Sequence, residues 1–216
     1  MRYHSYIFFD ANRGTHSRTD FEGHKIDFIA CVEASTDTRI HAYATLGFKA
    51  GTRFMLHINA ETPNKIQRLV RDLLHTDLGA SLSVTQTLFG MTRPSTYAPG
   101  REPKEEPQNA PHQYLVVYPF TKTIEWHLMP HEERRAIMMS HVEVGRKHRE
   151  YVSQLLLYAY GIDDHEFIVS YYTDDLEKFQ TLVMDMRGTE SRRHTKNDLP
   201  IFTCIHMPLA EALTMV

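Results

Sequence analysis

The sequence predicts an α+β protein made of two tandem ferredoxin-like modules, each with the order β-α-β-β-α-β. Three observations support this prediction. A proline-rich segment divides the chain, a similar order of strand and helix patterns occurs on both sides, and one strand–helix pair recurs at a constant offset. Each such sheet has one bare face, so we expect the two halves to form a dimeric α+β, barrel-like core.

The dividing segment is TRPSTYAPGREPKEEPQNAPH, from Thr92 to His112, which places five prolines among mixed charges. Proline fixes φ and lacks a backbone N–H, so this composition excludes a helix or a central strand and is typical of an extended connection. We therefore divide the chain into an N-terminal half at 1–92, a connection at 93–112 and a C-terminal half at 113–216.

The second half gives the clearer pattern of elements. Apolar runs predict strands at 113–120, 153–160, 166–172 and 200–206, and apolar residues at helical spacing predict helices at 131–150 and 175–187.

The repeated strand–helix pair lies at an offset of 113 residues. FMLHINAETPNKIQRLVRDLLHT at 54–76 aligns without gaps to FIVSYYTDDLEKFQTLVMDMRGT at 167–189. Both segments change from strand period to helix period at the same place, which favours a duplication. The identical pairs are Phe54/Phe167, Lys65/Lys178, Gln67/Gln180, Leu69/Leu182, Val70/Val183, Asp72/Asp185 and Thr76/Thr189.

Composition narrows the class of function. The formal net charge of -3 gives no basic surface for a nucleic-acid backbone, and no apolar run approaches the length of a membrane span. Cys31 and Cys204 lie outside any CxxC spacing, so neither a disulfide framework nor a thiolate zinc site is supported. We expect a soluble cytoplasmic protein without nucleic-acid or membrane partners. The 14 histidines are mostly single and scattered, and we expect most of them to be solvated.

The predicted 131–150 helix carries one stripe made of Met138, His141, Gly145 and His148. A glycine inside a helix costs about 1 kcal/mol relative to alanine. Its position one turn after His141 therefore suggests that something large and flat approaches this face. The alternative is a core or solvated histidine beside a chance glycine, and the stripe alone favours that alternative.

Two predicted strands carry further candidates. Lys122 continues the parity of Tyr118 beyond the strand 113–120, about 13 Å away if the chain is extended. An oxidisable phenol and an ammonium that can hold a carboxylate would then face the same space. In the strand 153–160, Gln154 offers a neutral amide that is neither a strong acid nor a strong base. The alternatives are a packing role for Tyr118, a solvated ammonium for Lys122 and a polar edge residue for Gln154.

Three motifs follow one another in the second half: Y-P-x-x-K-x-x-x-W at 118–126, H-x-x-x-G-R at 141–146 and G-x-D-D at 161–164. LVMDMR at 182–187 and DLPIFTC at 198–204 come after them. In this combination, over about ninety residues, the second half resembles the chlorite dismutase superfamily. The first half matches that family only in general organisation.

The resemblance implies a role for each matching residue. The family's proximal iron ligand opens H-x-x-x-G-R and corresponds to His141, and the residue thirteen positions later lies on the distal side of the porphyrin. Chlorite dismutases have arginine there, whereas this chain has Gln154, as does one bacterial group of coproheme decarboxylases. Tyr118 corresponds to the catalytic tyrosine and Lys122 to the lysine that follows it. A second subgroup uses a distal histidine before the tyrosine. No histidine stands at that spacing, and His112 is the nearest.

Further porphyrin contacts follow from the same resemblance. Arg187 and Ser191 fall near positions that hold propionates, in a segment one residue shorter than the family pattern. An arginine expected in the connection is replaced by Lys104 or displaced to Arg101. The tryptophan of the first motif is Trp126, which we place in the cofactor site.

The implied activity is the oxidative decarboxylation of iron coproporphyrin III (coproheme) to heme b by hydrogen peroxide, with the iron porphyrin as both substrate and redox centre. Position 28, the repeat counterpart of His141, is Phe28, so we expect no cofactor in the first half. The resemblance also implies a homo-oligomer, a pentamer in this family, and other heme-biosynthesis enzymes as partners. The alternatives are a chlorite dismutase or heme peroxidase, disfavoured by Gln154, a heme-binding or heme-delivery protein without turnover, and a protein that has lost the pocket.

Overall fold

The computed structural model describes four stretches of the chain, residues 1–11, 21–97, 104–105 and 111–216. They form two compact units, Met1–Met91 together with Thr203–Val216, and Thr92–Phe202. Each unit combines an antiparallel sheet with helices, which confirms the predicted α+β class. Within the described stretches, no helix is both long enough and apolar enough to pass through a lipid bilayer.

The first unit contains the predicted order of elements, with one additional short helix before its last strand. The elements are β1 (Tyr3–Ala11), α1 (Phe21–Glu33), β2 (Thr38–Ala44), β3 (Phe54–Ala60), α2 (Pro63–Leu74), α3 (Asp77–Ala80) and β4 (Leu82–Met91). The strands pair antiparallel in the order β4-β1-β3-β2.

The core of the first unit lies between its sheet and its helices. Ile7 and Phe9 of β1 pack in one apolar cluster with Leu69 of α2, because alternate strand residues share a face. Phe28 of α1 belongs to the same cluster and is 0% exposed. Phe28, which corresponds to His141 in the repeat, is therefore a buried residue of the hydrophobic core.

The second unit contains three of the four strands and both helices predicted for the second half, with small changes at their ends. Its elements are β5 (Tyr114–Lys122), α4 (Ile124–Leu128), α5 (His131–Arg146), β6 (Val152–Tyr158), β7 (Phe167–Thr173), α6 (Leu176–Arg187), a 3-10 helix (Glu190–His194) and β8 (Thr195–Asn197). The strand order is β6-β7-β5-β8, antiparallel throughout. The short elements α4 and β8 were not predicted, and the helix expected over 131–150 ends at Arg146.

The internal repeat is confirmed at the level of elements. Adding 113 to the ends of β3 and α2 gives the ends of β7 and α6. The two helices begin differently: α2 has Pro63 in its first turn, whereas the Asp175 carboxylate accepts hydrogen bonds from the backbone N–H groups of Glu177 and Lys178 at 3.0 and 3.1 Å.

The C-terminal residues form β9 (Phe202–Met207) and α7 (Leu209–Ala212). β9 pairs antiparallel with β2, with Ala42 opposite Met207, and Leu213 is buried in the core of the first unit. These residues thus pack with the first unit, whereas the predicted C-terminal half ran from 113 to 216. The predicted proline-rich connection lies largely outside the described residues, and the barrel-like core stays a prediction.

Candidate functional site

The second unit contains a cavity of about 590 Å³ between one face of its sheet and the helices α5 and α6. Alternate residues of β5 line the sheet side, from Val116 to Lys122. Arg134, Met138 and His141 line the helix side from α5. The volume lies in the range of cofactor sites, and most of the lining is apolar or aromatic.

The cavity brings together seven of the predicted site residues. These are Tyr118, Lys122, Trp126, His141, Gln154, Arg187 and Ser191. Lys104 is described by the structure but does not line the cavity, and Arg101 lies outside the described residues. The convergence is a geometric finding, whereas the role of each residue stays a prediction.

His141 is held at one nitrogen of its ring. Its Nδ1 lies 2.8 Å from Oγ of Ser191 and 3.4 Å from Oγ1 of Thr189. Burial lowers the pKa of His141 to about 4, and the nearby Lys122 ammonium contributes to that shift. The imidazole is therefore neutral at pH 7, and its Nε2 makes no hydrogen bond with any residue that the structure describes. A neutral imidazole with one nitrogen available fits an iron ligand.

Gly145 and His148, the other polar or small members of the predicted stripe, contact α6, and His148 lies beyond the end of α5. A Cβ added to Gly145 would lie 3.8 Å from Cε of Met186, and Gly145 does not line the cavity. Nε2 of His148 lies 2.9 Å from a carboxylate oxygen of Asp185. Both residues thus face α6, with the Met186 side chain beside Gly145, and the approach of a large flat group to Gly145 stays a prediction.

Lys122 places a buried ammonium in the cavity. Its Nζ lies 4.5 Å from the ring centroid of Trp126, and no carboxylate of a described residue lies within 4 Å of it. Burial lowers the pKa of Lys122 to about 8, although the carboxylate of Glu166 acts in the opposite direction. Lys122 is therefore mostly protonated at pH 7 and available to an anionic ligand. Trp126, 2% exposed, supports this ammonium with its ring.

Tyr118 and Tyr171 lie side by side on the sheet wall. Their ring centroids are 6.0 Å apart. Burial raises the pKa of Tyr118, and a hydrogen bond from the Tyr171 hydroxyl partly offsets that rise. Tyr118 is thus a protonated phenol at neutral pH. Gln154 of β6 stands opposite Tyr171 in the ladder and presents its amide to the cavity from the sheet side.

The structure adds cations that sequence reasoning missed. Arg134 lines the cavity, and its buried Nε has no hydrogen-bond partner. Arg192 donates to Asp198 at 2.6 Å, and Arg187 lies 3.7 Å from the same carboxylate. Arg134 could have been found, because it precedes His141 by seven residues on one helix face. Arg192 belongs to no motif, and Asp198 opens the segment DLPIFTC without any sign of a charge role. The lining has one carboxylate among the described residues, Asp198, against five cations: Arg93, Lys122, Arg134, Arg187 and Arg192.

The fold and the cavity together define a class of duplicated ferredoxin-like α+β proteins with a cationic, cofactor-sized pocket and an imidazole, His141, that is available to a ligand. A family model described as chlorite dismutase matches residues 22–207. The chain belongs to the chlorite dismutase family. Members of this family are heme-binding oligomers that act as heme-dependent oxidoreductases and decarboxylases.

Individual relatives agree with this assignment. The chain is 29% identical over 162 residues to a protein named coproheme decarboxylase from Mycolicibacterium smegmatis (strain ATCC 700084 / mc(2)155), a match that covers 74% of this chain and 70% of that protein. A chlorite dismutase from Candidatus Nitrospira defluvii in complex with imidazole has the same fold, with a TM-score of 0.91 at 23% identity over 99% of this chain and 94% of that one. A mutant of that chlorite dismutase gives a TM-score of 0.92 with the same identity and coverage.

Proposed function

We propose that this protein decarboxylates iron coproporphyrin III to heme b with hydrogen peroxide as oxidant. The observation that carries the proposal is the meeting, in one cavity, of a neutral His141, the phenol of Tyr118 and the unpaired ammonium of Lys122. The relative from Mycolicibacterium smegmatis, named coproheme decarboxylase, supports the same substrate.

The charges of the cavity fit a substrate with several carboxylates. Five cations face one carboxylate, so the lining carries a surplus of positive charge. Coproheme has four propionates, whereas the product heme b has two. Arg134 and Lys122 have no carboxylate partner among the described residues, so each is free to hold a propionate, the arginine in bidentate geometry.

His141 would hold the substrate's iron through its free nitrogen. A neutral histidine ligand leaves the opposite coordination position for peroxide. The bound iron porphyrin supplies the redox chemistry, and the protein supplies binding, orientation and electrostatics.

Tyr118 is the residue that we assign to the redox step on the propionates. Its phenol can give up an electron and a proton and regain both from the substrate. Each propionate, R–CH2–CH2–COO⁻, becomes R–CH=CH2 and releases CO2, one proton and two electrons. One hydrogen peroxide takes up those two electrons, that proton and a second proton from solvent to give two water molecules. Two propionates therefore consume two molecules of peroxide.

Gln154 distinguishes this proposal from chlorite decomposition. Stabilising a hypochlorite leaving group at the distal side favours a cationic donor, and a neutral amide stabilises that charge poorly. Gln154 can still hydrogen-bond to peroxide or to a propionate from the sheet side.

The deciding experiment is mass spectrometry of coproheme incubated with the protein and hydrogen peroxide. If the proposal is correct, coproheme should lose two carboxyl groups stepwise and form heme b. Bound but unchanged porphyrin would instead indicate a heme-binding or heme-delivery protein without turnover. An unaltered visible spectrum on addition of coproheme or hemin would indicate that the pocket binds no porphyrin.

The same proposal extends to assembly and cellular context. We propose a homo-oligomer, a pentamer by resemblance, that works in the cytoplasm beside other enzymes of heme biosynthesis. Light scattering coupled to size-exclusion chromatography tests the pentamer directly, because a monomer or a dimer would contradict it.

A further inference from the structure

We propose that Ser191 and Thr189 form a hydrogen-bond relay that holds His141 in the tautomer protonated at Nδ1, so that the Nε2 lone pair faces the cavity. This inference rests on the proposed function only where it concerns iron. The relay itself is a property of the protein without porphyrin.

The relay is a chain of three short contacts. The Thr189 hydroxyl donates to the backbone carbonyl of Met186 at 2.7 Å. Oγ of Ser191 lies 2.9 Å from Oγ1 of Thr189 and 2.8 Å from Nδ1 of His141. Ser191 is 3% exposed, so its hydroxyl has little access to bulk water.

The direction of proton donation along the relay follows from its last acceptor, the carbonyl oxygen of Met186. A carbonyl oxygen only accepts, so the single hydroxyl proton of Thr189 goes to Met186. Oγ1 of Thr189 then accepts the proton of Ser191. Ser191, having used its only proton, accepts from His141, and Nδ1 must carry the hydrogen.

The relay is fixed to the end of α6. The backbone N–H of Thr189 also donates to the Met186 carbonyl, at 3.1 Å. Neutral imidazole can carry its proton on either nitrogen, and a partner that accepts at one nitrogen removes that freedom. Such outer partners of a metal-binding histidine orient the ring and raise its affinity for the metal by roughly 10- to 100-fold.

This assignment changes the role of Ser191. The resemblance places it near a propionate, whereas its proton and an acceptor lone pair are both used inside the relay. Ser191 is therefore a positioning residue that acts through His141.

The first test uses the protein without porphyrin. Long-range proton–nitrogen NMR of ¹⁵N-histidine-labelled protein should show His141 protonated at Nδ1. Ser191→Ala should give a mixture of tautomers, and Ser191→Thr should restore the parent form. Thr189→Val should reverse the tautomer, because Ser191 then donates to Nδ1. Thr181→Val is the matched control, since the Thr181 hydroxyl donates to the Glu177 carbonyl on the exposed side of α6. A parent protein protonated at Nε2, or an unchanged tautomer in Ser191→Ala, would overturn the relay.

The second test separates the relay from a propionate contact. Titration of Ser191→Ala with iron coproporphyrin should show a loss of about 10-fold or more in affinity, while metal-free coproporphyrin should bind as to the parent. An equal loss for both porphyrins would instead assign Ser191 to a propionate. If neither porphyrin binds the parent protein, the proposed function fails, but the tautomer measurement still decides the relay.

Discussion

At the scale of single residues, the chemistry assigned to Tyr118 resides in its hydroxyl. Tyr118→Phe keeps the ring that packs beside Tyr171, so the fold and coproheme binding should survive. Vinyl formation should stop while peroxide is still consumed. Peroxide loss and porphyrin mass, measured in one reaction, check this outcome. Tyr158→Phe removes another cavity-lining phenol and should retain turnover. Equal vinyl formation in Tyr118→Phe and the parent would refute the redox role.

His141 is assigned as the iron ligand, so its removal should be visible in the spectrum. His141→Ala should weaken porphyrin binding and abolish the absorption spectrum of imidazole-ligated iron. His148→Ala, just beyond the C-terminal end of α5 and bonded to Asp185, should leave both unchanged. Titration of the parent should end at one porphyrin per chain, because Phe28 fills the corresponding position of the first unit. A stoichiometry of two, or an unaltered spectrum in His141→Ala, contradicts the assignment.

We predict negligible oxygen release from chlorite, because the neutral amide of Gln154 stabilises a hypochlorite leaving group poorly. An oxygen electrode measures this directly in the porphyrin-loaded protein. Gln154→Arg should raise the rate slightly, since a cationic donor then lines the distal side. Rapid oxygen release by the parent protein would place it with the chlorite-decomposing enzymes.

The family resemblance proposed His141, Tyr118, Lys122 and Gln154 as site residues, and the structure places all four in one cavity. Residue identity and spacing alone left packing or solvated roles open for each of them. The contact between His141 and Ser191 was not predictable in this way. It joins residues fifty positions apart through the end of α6, and a single serine has no pattern of its own. Three-dimensional packing decides such contacts.

At the scale of elements, α5 forms one wall of the site. Arg134 and His141 are two helical turns apart, about 10 Å along the axis at 1.5 Å per residue. If the porphyrin iron binds at His141 as proposed, this separation would place the guanidinium near the edge of the porphyrin. The apolar Met138 lies between them on the same face.

We therefore expect Arg134→Gln to weaken coproheme binding by about 10-fold, the loss of one charge-assisted hydrogen bond. Arg135→Gln is the matched control, because Arg135 lies 4.0 Å from Glu132 and does not line the cavity. Titration with the tetramethyl ester of coproheme removes the carboxylates and should erase the difference between Arg134→Gln and the parent. A loss of the same size with the ester would mean that Arg134 acts through packing.

The order of elements was predictable because hydrophobic period changes with secondary structure, and the predicted strand 166–172 and helix 175–187 lie within one residue of β7 and α6. The short elements α4 and β8 have too few residues to show a period. The packing of β9 with β2 was also missed, since strand partners are set by tertiary contacts rather than by local sequence.

At the scale of the whole molecule, a pair of buried histidines links stability to pH. His4 of β1 and His57 of β3 are 0% and 1% exposed, and Nδ1 of His4 lies 3.0 Å from Nε2 of His57. We expected most histidines to be solvated, and these two are exceptions. The remaining nitrogen of each ring has no hydrogen-bond partner among the residues that the structure describes. Burial lowers the pKa of His4 to about 3 and that of His57 well below its usual value.

The sign of the pH effect follows from proton binding. Between about pH 3 and pH 6.5 the unfolded chain protonates His4 and the folded chain does not, so the free energy of unfolding falls as the pH falls through this window. Each histidine whose pKa is lowered in the folded protein reduces the free energy of unfolding by about 1.4 kcal/mol for each pH unit below its unfolded pKa. Between pH 7 and pH 5 this loss is about 2 kcal/mol for each histidine.

Denaturant unfolding at pH 7 and pH 5 should therefore show the parent protein losing at least about 2 kcal/mol of stability from this pair. The double variant His4→Asn/His57→Asn is less stable at pH 7 but should lose less on acidification, because asparagine does not titrate. His75→Asn replaces an exposed histidine and should keep the parent slope. If the double variant does not fold, NMR titration of the parent gives the same answer, with both imidazoles staying neutral down to pH 5. Protonation of either ring near pH 6.5 in the folded protein would disprove the link between burial and acid sensitivity.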